Sequence, residues 1–323
     1  MKKKWAFTAA AGVLCGLFLA GVLEVGSSTG WFGLEELASP GVPSWEHSYE
    51  TTWDPSQDGV EGLSVRWAAG PVSVMPGEGP LITVTEYASR PLEEGERLAL
   101  SSSGGVLEVG WNGDLLPLGA LQDLEKRVEV KVPPELLSQL EELSCWNISG
   151  EVSVSGAFAQ ELSLSSLSGD LLLSGVSGGQ VQASTVSGDI QWAQGQAEEL
   201  SVKSTSGAVQ VVGMRAEECH LKTVTGPLEY RGAGGRLFGE SVTGSLRAQL
   251  TACPTEGELG SVQGDIFLTL PENNGFQARH SSVSGHFTSD FSGSGQGGGF
   301  LYKGGGPLLS FTTTSGDVRI ARG

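Results

Sequence analysis

Apolar and polar residues alternate along most of this chain in segments that return about every twenty residues. Each segment is centred on a glycine that in most cases follows serine or threonine: Gly150, Gly169, Gly188, Gly207, Gly226, Gly244, Gly264, Gly285 and Gly316. The first four intervals are nineteen residues, and the next three are eighteen, twenty and twenty-one. A nearly constant period of this length is typical of repeat proteins in which successive coils stack on one another.

The alternation around each glycine predicts two β-strands per coil. The residues two before, two after and four after the glycine are mostly apolar, which predicts a strand whose even-numbered positions face inward. A second apolar pair lies seven and five residues before the glycine, as in Leu162 with Leu164. This pair lies an odd number of residues from the glycine, whereas the first set lies an even number from it. A corner or bulge is therefore expected between the two strands. The pattern predicts an all-β fold, a single-chain, parallel β-helix-like β-solenoid of about nine coils.

The regions around the repeat predict how the solenoid ends. Residues 61–143 alternate without the period, which predicts an irregular β capping region before a solenoid at 144–323. One or two helical turns are expected between Pro134 and Leu143. A glycine-rich stretch at 292–306 interrupts the repeat before its last coil, and we expect a mobile loop there. Its candidate contact residues are Phe300, Leu301, Tyr302 and Lys303.

The N-terminus has the pattern of a membrane segment. Residues 1–4 include three lysines, and the apolar run that follows is long enough for a helix to cross about 30 Å of hydrocarbon. Because lysine-rich flanks stay in the cytoplasm, residues 5–25 are expected to form a transmembrane signal-anchor that exports the rest of the chain. Cleavage as a signal peptide, followed by secretion, is the alternative. Residues 26–60 are rich in Gly, Pro and Ser and are expected to form a linker or stalk.

Composition supports the β prediction and narrows the partners. The chain has 323 residues, of which 49 are glycine, and only 17% of its residues are charged, which suits short strands and tight turns. The formal net charge is −18. Because an acidic surface repels phosphate backbones, nucleic-acid binding is not expected. Composition does not indicate an oligomeric state.

Three cysteines lie outside the N-terminal apolar segment, namely Cys145, Cys219 and Cys253. An odd number argues against a fold stapled by disulfides. Cys145 and Cys219 fall four coils apart, which is about 19 Å at ordinary strand spacing and beyond the reach of a disulfide. We therefore expect free and mostly buried thiols.

Acidic residues follow many of the glycines and allow two interpretations. They are Glu151, Asp170, Asp189, Asp265 and Asp317. The first interpretation is a calcium-binding ladder, but known calcium-binding solenoids use a nonapeptide repeat that this chain lacks. The second, which we favour, is a carboxylate that stabilises the turn by accepting hydrogen bonds from local backbone amides. No metal and no cofactor are expected.

Side chains that could perform catalysis are scattered along the repeat. A site that cleaves glycans needs clustered acidic and basic groups on one face. Lys203 and Lys222 fall one coil apart, and the other candidates fall elsewhere on the coils: Arg231, Arg247, His220, His280 and His286. The sequence therefore predicts no catalytic residue and no enzyme.

Four repeated phrases, SLSGDL, TVSGDI, SVQGDI and TTSGDV, and the segment VEVKVPPELL that precedes them resemble the bacterial putative-adhesin family. This family is a domain of unknown function built from serial V-S-G-D-I units, and the resemblance covers about residue 60 to the C-terminus. It implies a β-solenoid on the cell envelope, linked in some members to envelope-stress systems, and it brings no catalytic residues. The units STSGAV, TVTGPL and SVTGSL depart from the consensus, so the aspartate is not required in every coil.

Three functions follow in order of preference. We expect a membrane-anchored, extracytoplasmic structural or interaction protein whose Ser/Thr-rich face meets a cell-wall polymer or an envelope protein. An envelope-stress sensor or regulator that binds a peptide or a membrane partner is the alternative. A polysaccharide-active enzyme ranks last. Some parallel β-helices have such activity, but the side-chain cluster that it needs is not evident in this sequence.

Overall fold

β-Strands make up most of the described chain, and helix is limited to single turns. The computed structural model describes residues 45, 47–111, 124–296 and 299–323. The predicted cytoplasmic tail (1–4), the predicted signal-anchor (5–25) and about half of the predicted linker lie outside the described residues. Among those that are described, no helix is long and apolar enough to cross a membrane.

The strands follow one another with short connections. The helical turns are α1 (Pro55–Asp58), a 3₁₀ turn (Glu94–Glu96) and α2 (Pro134–Leu137), and α2 falls where the sequence predicts one or two helical turns. The strands are β1 (His47–Trp53), β2 (Gly62–Ala69), β3 (Val72–Pro76), β4 (Ile82–Ala88), β5 (Leu98–Ser103), β6 (Val106–Trp111), β7 (Lys126–Val132), β8 (Leu140–Ser149), β9 (Val152–Ser155), β10 (Phe158–Ser168), β11 (Leu171–Ser174), β12 (Ser177–Ser187), β13 (Ile190–Ser206), β14 (Val209–Thr225), β15 (Leu228–Thr243), β16 (Leu246–Leu250), β17 (Glu256–Gln263), β18 (Ile266–Leu270), β19 (Phe276–Ser284), β20 (Phe287–Ser289), β21 (Ser294–Gln296), β22 (Gly299–Tyr302), β23 (Leu308–Ser315) and β24 (Val318–Arg322).

Successive coils stack in register through parallel strands. Leu164 in β10, for example, pairs with Cys145 in β8 on one side and with Ala183 in β12 on the other. Each side chain therefore lies against the same position of the next coil, and the apolar residues form continuous columns inside the stack. The described residues form an all-β, solenoid-like fold, as the repeat predicts.

The chain turns at the glycine, and the side-chain phase changes there. In the coil of Gly169, Leu164 and Ser166, five and three residues before the glycine, are buried, and so is Leu171, two residues after it. Leu167, two residues before the glycine, is 52% exposed. The prediction that this position faces inward, with a corner upstream of it, is therefore wrong. A small polar residue takes the inward position instead, and such a residue leaves no apolar signal in the sequence.

Glycine is required at this corner because neighbouring coils approach there at backbone distance. A Cβ added to Gly226 would lie 2.3 Å from the carbonyl oxygen of Gly207, and Gly226 has a φ of 135°, which L side chains rarely adopt. From Gly169 onward, each corner glycine has its neighbour's carbonyl oxygen at 2.0 to 2.3 Å from such a Cβ. The repeated glycine therefore sets the spacing of the coils.

Buried hydroxyl groups bridge the glycine corners of adjacent coils. Thr185 Oγ1 donates to the carbonyl oxygen of Gly169 at 3.2 Å, and Ser204 Oγ donates to that of Gly188 at 3.4 Å. Both side chains belong to residues that are only 4% exposed. Thr223 and Ser261 make the same contact to Gly207 and Gly244, so four of the serines and threonines three residues before the glycine have this partner. The hydroxyls of Ser166 and Ser241, at the same position, have no partner within the described residues.

The stack begins before the first glycine of the regular period. β2 and β3 form a coil that pairs in parallel with β8 and β9, and a Cβ added to Gly150 would meet the backbone of Gly70 at 2.5 Å. β6 and β7 add an outer rung, and β5, β4 and β1 complete this end through antiparallel pairs. The region 61–143, predicted as an irregular cap, thus contains a regular coil. Its membership is hidden in the sequence by the long excursion between Gly70 and Gly150.

A buried ion pair holds the N-terminal end together. The side chains of Lys126 and Glu86 are 1% and 3% exposed, and Lys126 Nζ donates to Glu86 and to the backbone oxygen of Glu96. The rings of Trp67 and Trp111 lie 5.2 and 4.5 Å from this ammonium group. Burial lowers the pKa of Lys126, and the hydrogen bond to Glu86 acts in the opposite direction. The carboxylate and the two rings together replace the water that Lys126 loses.

The last coil in the sequence is not the last coil of the stack. β23 pairs with β17 on one side and with β19 on the other, and β24 lies between β18 and β20 in the same way. The coil of Gly316 is therefore inserted between the coils of Gly264 and Gly285. The chain passes over one rung, builds the outermost coil and then returns to fill the gap.

The glycine-rich stretch closes the C-terminal end of the stack. β22 pairs antiparallel with the outer edge of β19, and β21 pairs with β22. Tyr302 is 4% exposed, and its ring lies 4.8 Å from that of Phe291 and 5.5 Å from that of Phe276. The expectation of a mobile loop at 292–306 is therefore wrong for β21 and β22. Aromatic residues within the stretch anchor it to the core despite its glycine content.

Candidate functional site

One outer face of the stack carries two columns of exposed or half-buried residues beside the glycine corner. The column two residues before each glycine is mostly valine, and the column one residue before is mostly serine or threonine. We call these columns the valine–hydroxyl strip, and its residues are Leu167 with Ser168, Val186 with Ser187, Thr205 with Ser206, Val224 with Thr225, Val242 with Thr243, Val262 with Gln263, Thr314 with Ser315 and Val283 with Ser284.

The apolar column of the strip is open to solvent. The exposed fraction of its valines ranges from 36% for Val224 to 85% for Val283. Single exposed apolar residues are common on proteins, and β-branched residues favour strands in any case, so one such valine needs no special explanation. A column that continues through successive coils is different, because contiguous apolar surface marks sites of interaction. The strip is therefore our candidate binding surface.

The hydroxyl column contributes hydrogen-bonding groups next to the valines. Thr225 Oγ1 donates to the carbonyl oxygen of Thr205 at 3.2 Å, and Thr243 Oγ1 donates to that of Val224 at 3.3 Å. Each hydroxyl oxygen can still accept a hydrogen bond from a ligand. The strip thus offers apolar contact and hydrogen bonding side by side along the stack.

The acidic residues after the glycines connect successive coils. Asp170 Oδ1 accepts the backbone N–H of Asp189 at 2.8 Å, and Asp189 Oδ1 accepts that of Ala208 at 2.7 Å. Asp265 makes the same contact to the backbone N–H of Asp317 at 2.8 Å. The carboxylates accept backbone N–H groups, as predicted, but these belong to the next coil, so the expectation of a bond within the local turn is wrong.

The acidic column does not assemble a metal site. Within the described residues, no group of three or more His, Cys, Asp or Glu side chains is placed to hold a metal ion. Glu151 lies at one end of the column, where burial, and then the charge of Asp170, raise its pKa. Asp170, Asp189 and Asp265 each use a carboxylate oxygen on a backbone N–H of the next coil, so these hydrogen bonds explain the column better than a metal does.

A pocket lies at the N-terminal end of the face that carries the strip. Strands β6, β2, β8 and β10 line a half-open depression of about 440 Å³. Trp146 in β8 lines it and is 45% exposed. In the next two coils the same position is Ser165 and then Ser184. We call this pocket the tryptophan pocket. Its polar and aromatic lining includes Arg66, Glu108, Glu142, Ser144, Ser163 and Trp146.

A larger groove of about 890 Å³ lies on another side of the coils. Its floor is a column of small residues in register, Gly178, Ala197, Ala216 and Gly234. The groove exists because no side chain in this column is large enough to fill it. Its rim carries charges of both signs, from Arg215, Glu198 and Glu217.

The histidines do not converge on one site. His220 stacks on Phe238 with ring centroids 4.6 Å apart, and its Nε2 lies 2.7 Å from a carboxylate oxygen of Glu218. His280 lies in the outermost C-terminal coil, where burial lowers its pKa. His286 is in the same coil, and 89% of its side chain is exposed.

The basic residues are also dispersed. Lys203 and Lys222 are neighbours on adjacent strands, and Lys222 pairs with Glu240 at 2.7 Å. Arg231 pairs with a glutamate of its own strand at 2.6 Å, and Arg247 lies 5.2 Å from the centre of an aromatic ring. These contacts are those of a charged, solvated surface.

The residues suggested for the glycine-rich stretch separate into two groups. Tyr302 is buried and Phe300 is half-buried in the aromatic cluster at the end of the stack. Leu301 is 41% exposed, and Lys303 Nζ lies 2.6 Å from a carboxylate oxygen of Glu272. Only Leu301 and Lys303 are therefore available at the surface.

The three described cysteines are free thiols, as predicted. Cys145 and Cys219 are buried, and Cys253 is half-buried. Burial raises the pKa of Cys145 to about 12 and also raises the pKa of Cys219 and of Cys253. Since the thiolate is the reactive form, these cysteines serve packing rather than chemistry.

Sequence reasoning missed both features of the outer face. The valine column fits an inward-facing alternation as well as an outward-facing one, because the serine or threonine that is actually buried carries no apolar signal. The difference in parity between positions five and two before the glycine predicts a corner between them, but a straight strand that exposes the second position satisfies it equally well, as the structure shows. The tryptophan pocket depends on the pairing of β2 with β8, which joins residues that are distant in sequence.

Comparisons with known proteins agree with this fold. The sequence profile of the Toastrack DUF4097 family matches residues 125–320. No curated protein matches the chain. Among solved structures, a protein from Parabacteroides distasonis described as a putative lipid binding protein is similar at 11% identity, over 85% of this chain and 97% of that one, with a TM-score of 0.51.

Two further solved structures match over a similar share of both chains but have lower TM-scores. A putative adhesin from Bacteroides fragilis has 11% identity over 86% of this chain and 97% of its own, with a TM-score of 0.43. A putative cell adhesion protein from Clostridium sporogenes has 12% identity over 86% of this chain and 99% of its own, with a TM-score of 0.22. The family match, at residues 125–320, spans more than half of the sequence, and the chain therefore belongs to the Toastrack DUF4097 family, a domain of unknown function.

Proposed function

We propose that this protein is a membrane-anchored, extracytoplasmic binding protein that holds a repetitive cell-wall polymer along the valine–hydroxyl strip. The observation that carries the proposal is the strip itself, in which eight coils present the same pair of positions in register. At about 4.8 Å between strands, the strip is about 34 Å long. A repeating ligand can contact successive coils in the same way, whereas a compact ligand would use only a few of them.

The chemistry of the strip favours a glycan as the polymer. Sugar rings have apolar C–H faces that fit beside valine side chains, and their hydroxyl groups can exchange hydrogen bonds with serine and threonine. A protein partner of similar size would be expected to need a larger apolar core than two columns of residues provide. We therefore favour a cell-wall glycan over an envelope protein.

The charge of the chain supports a polymer that is not strongly anionic. With a net charge of −18, the protein repels polyanions over the distance that salt screening allows, about 8 Å at physiological ionic strength. The same charge keeps an exported protein soluble. A neutral glycan is thus compatible with this surface.

Export and anchoring are supported by the N-terminal sequence. Three lysines in residues 1–4 and the apolar residues 5–25 have the order of a signal-anchor with its basic end in the cytoplasm. Protease should be added to cells whose cytoplasmic membrane is intact and whose outer layers let the protease through. It should then degrade the solenoid and spare an epitope tag placed before residue 5, because the tag lies in the cytoplasm. Loss of the tag together with the solenoid, or release of the whole chain into the medium, would contradict anchoring.

The absence of catalysis is proposed from the arrangement of the candidate groups. The nearest approach to a hydrolytic triad in the described chain is His220, with Glu218 bonded to it and Ser201 opposite it on the adjacent strand. The ring stacks on Phe238, and no hydrogen bond joins it to Ser201 among the described contacts. Without that bond the serine hydroxyl has no base to activate it.

Co-sedimentation with isolated bacterial cell walls tests this function. The full-length chain would be kept in a polyoxyethylene detergent, which has no sugar headgroup to compete. We expect the protein to pellet with the walls and to release no soluble sugar. Phospholipid vesicles form a second arm, since one similar structure is described as lipid binding. Binding to vesicles alone, a failure to pellet with walls, or release of sugar would each overturn the proposal.

A further inference from the structure

Trp146 breaks the pattern of its column. The residues that follow it at the same position in the next two coils are serines, and the other tryptophans whose burial the structure describes are buried or half-buried. An indole that is 45% exposed on a sheet surface keeps apolar area in contact with water. The chain thus places an aromatic platform at one end of the face that carries the strip.

The surroundings of Trp146 supply polar groups of several kinds. Arg66 is paired with Trp146 across β2 and β8, and Ser144 lies opposite Ser64 in the same pair of strands. Glu108 lies opposite Ser64 on the other side, from β6. Ser64, between these two residues, is only 8% exposed.

We propose that the tryptophan pocket binds one unit of a neutral saccharide, with the sugar ring stacked on the indole of Trp146. The pocket volume of about 440 Å³ is in the range of small-molecule sites. The inference rests on the proposed function, because it makes this pocket the subsite in which a glycan held along the strip is recognised.

The groups around the indole match the hydroxyls of a sugar. The carboxylates of Glu108 and Glu142 accept hydrogen bonds from sugar hydroxyls, and the guanidinium of Arg66 donates to sugar oxygens. Ser144 and Ser163 can do either. With two carboxylates and one guanidinium, the pocket has a net negative charge, which disfavours a uronic acid or another anionic sugar.

Isothermal titration of the full-length chain in polyoxyethylene detergent tests the pocket. The probes are the tetramer of N-acetylglucosamine, cellotetraose and, as an anionic comparison, tetragalacturonate. The test variant is Trp146→Ser, which copies the residue found in the next two coils. The control is Lys203→Ser, which also introduces a serine in this column but lies outside the pocket.

The wild-type chain should bind at least one neutral tetramer and bind tetragalacturonate more weakly. Trp146→Ser should weaken the neutral binding by about tenfold, the value of one aromatic stacking contact, while Lys203→Ser changes it less than twofold. Equal affinity of wild type and Trp146→Ser, no binding of either neutral tetramer, or tighter binding of tetragalacturonate would overturn the inference. If wild type and Trp146→Ser pellet equally with cell walls, the strip remains the binding surface and the pocket is not part of it. Binding of a tetramer without binding to walls would instead refute the proposed function.

Discussion

Individual glycines determine how closely the coils of this protein approach. From Gly169 onward the backbone of one coil fills the space that a Cβ of the next would need, and at four corners a buried hydroxyl bridges the two coils. The regular return of glycine in the sequence therefore reports a packing requirement. The residues next to it are free to face solvent, which is how an apolar column can run outside the stack without disturbing it.

Replacing a corner glycine should destabilise the stack strongly. Gly226→Ala places a methyl group against the carbonyl of Gly207 at a φ of 135°, and we expect a loss of about 3 kcal/mol in the free energy of unfolding. Gly95→Ala is the control, because a Cβ there meets nothing within 4 Å. Guanidinium unfolding of both variants measures the difference. Similar midpoints for the two variants would show that the close approach is not a constraint.

Two terminal elements protect the open edges of the stack. At the N-terminal end, antiparallel strands and the buried pair of Lys126 and Glu86 cover the first coils. At the C-terminal end, β22 covers the outer edge of β19 and brings Tyr302 into the aromatic cluster. These elements cover the edges of the outer coils, and an uncovered edge would favour aggregation.

The C-terminal hairpin should depend on its buried aromatic residue. Tyr302→Ala removes a ring that is 4% exposed, and we expect a loss of about 3 kcal/mol in stability. Leu301→Ala alters its neighbour, which is 41% exposed, and should cost less than about 0.5 kcal/mol. Thermal unfolding, with hydrogen exchange of the β19 amides, measures both. Equal effects of the two substitutions would mean that β22 is not anchored as described.

These elements also show what the sequence could predict. Period and alternation sufficed for the all-β, coiled architecture, since both are local. They could not predict that Leu167 points outward, because the buried neighbour that takes the inward position, Ser166, is polar and leaves no apolar signal. They also could not predict that Gly70 belongs to the stack, or that the coil of Gly316 lies between those of Gly264 and Gly285. The order of coils depends on which strand edges pair, and long connections leave that order unspecified.

At the scale of the whole stack, the coils of the described chain do not follow the order of the sequence. The coil of Gly316 fills a gap between the coils of Gly264 and Gly285, so the outermost coil is held on both its sides by later segments. The strip crosses this junction without a break, because Val262, Thr314 and Val283 occupy its apolar column in that order.

Engineered disulfides test the order of the coils directly. In a Cys253→Ser background, the pairs Val262→Cys with Thr314→Cys and Thr314→Cys with Val283→Cys should oxidise readily, since neighbouring strands are about 4.8 Å apart. Val262→Cys with Val283→Cys would span two strand spacings, about 9.6 Å, and should stay reduced. A shift on non-reducing gels reads the result. Oxidation of that last pair, with Val262→Cys and Thr314→Cys left reduced, would show that the coils stack in sequence order, in which Val283 and Thr314 would also be neighbours.

The most direct test of the account is the affinity of the full-length chain for isolated cell walls when the strip is altered. Val224→Ser with Val242→Ser removes two valines that are 36% and 40% exposed, and Leu81→Ser with Leu301→Ser removes two leucines that are 38% and 41% exposed elsewhere. The strip variant should bind walls at least about tenfold more weakly than wild type, because it loses apolar contact area, and the control pair should bind as wild type does. Unchanged binding by the strip variant, or an equal loss in both, would contradict the claim that the valine–hydroxyl strip holds the polymer.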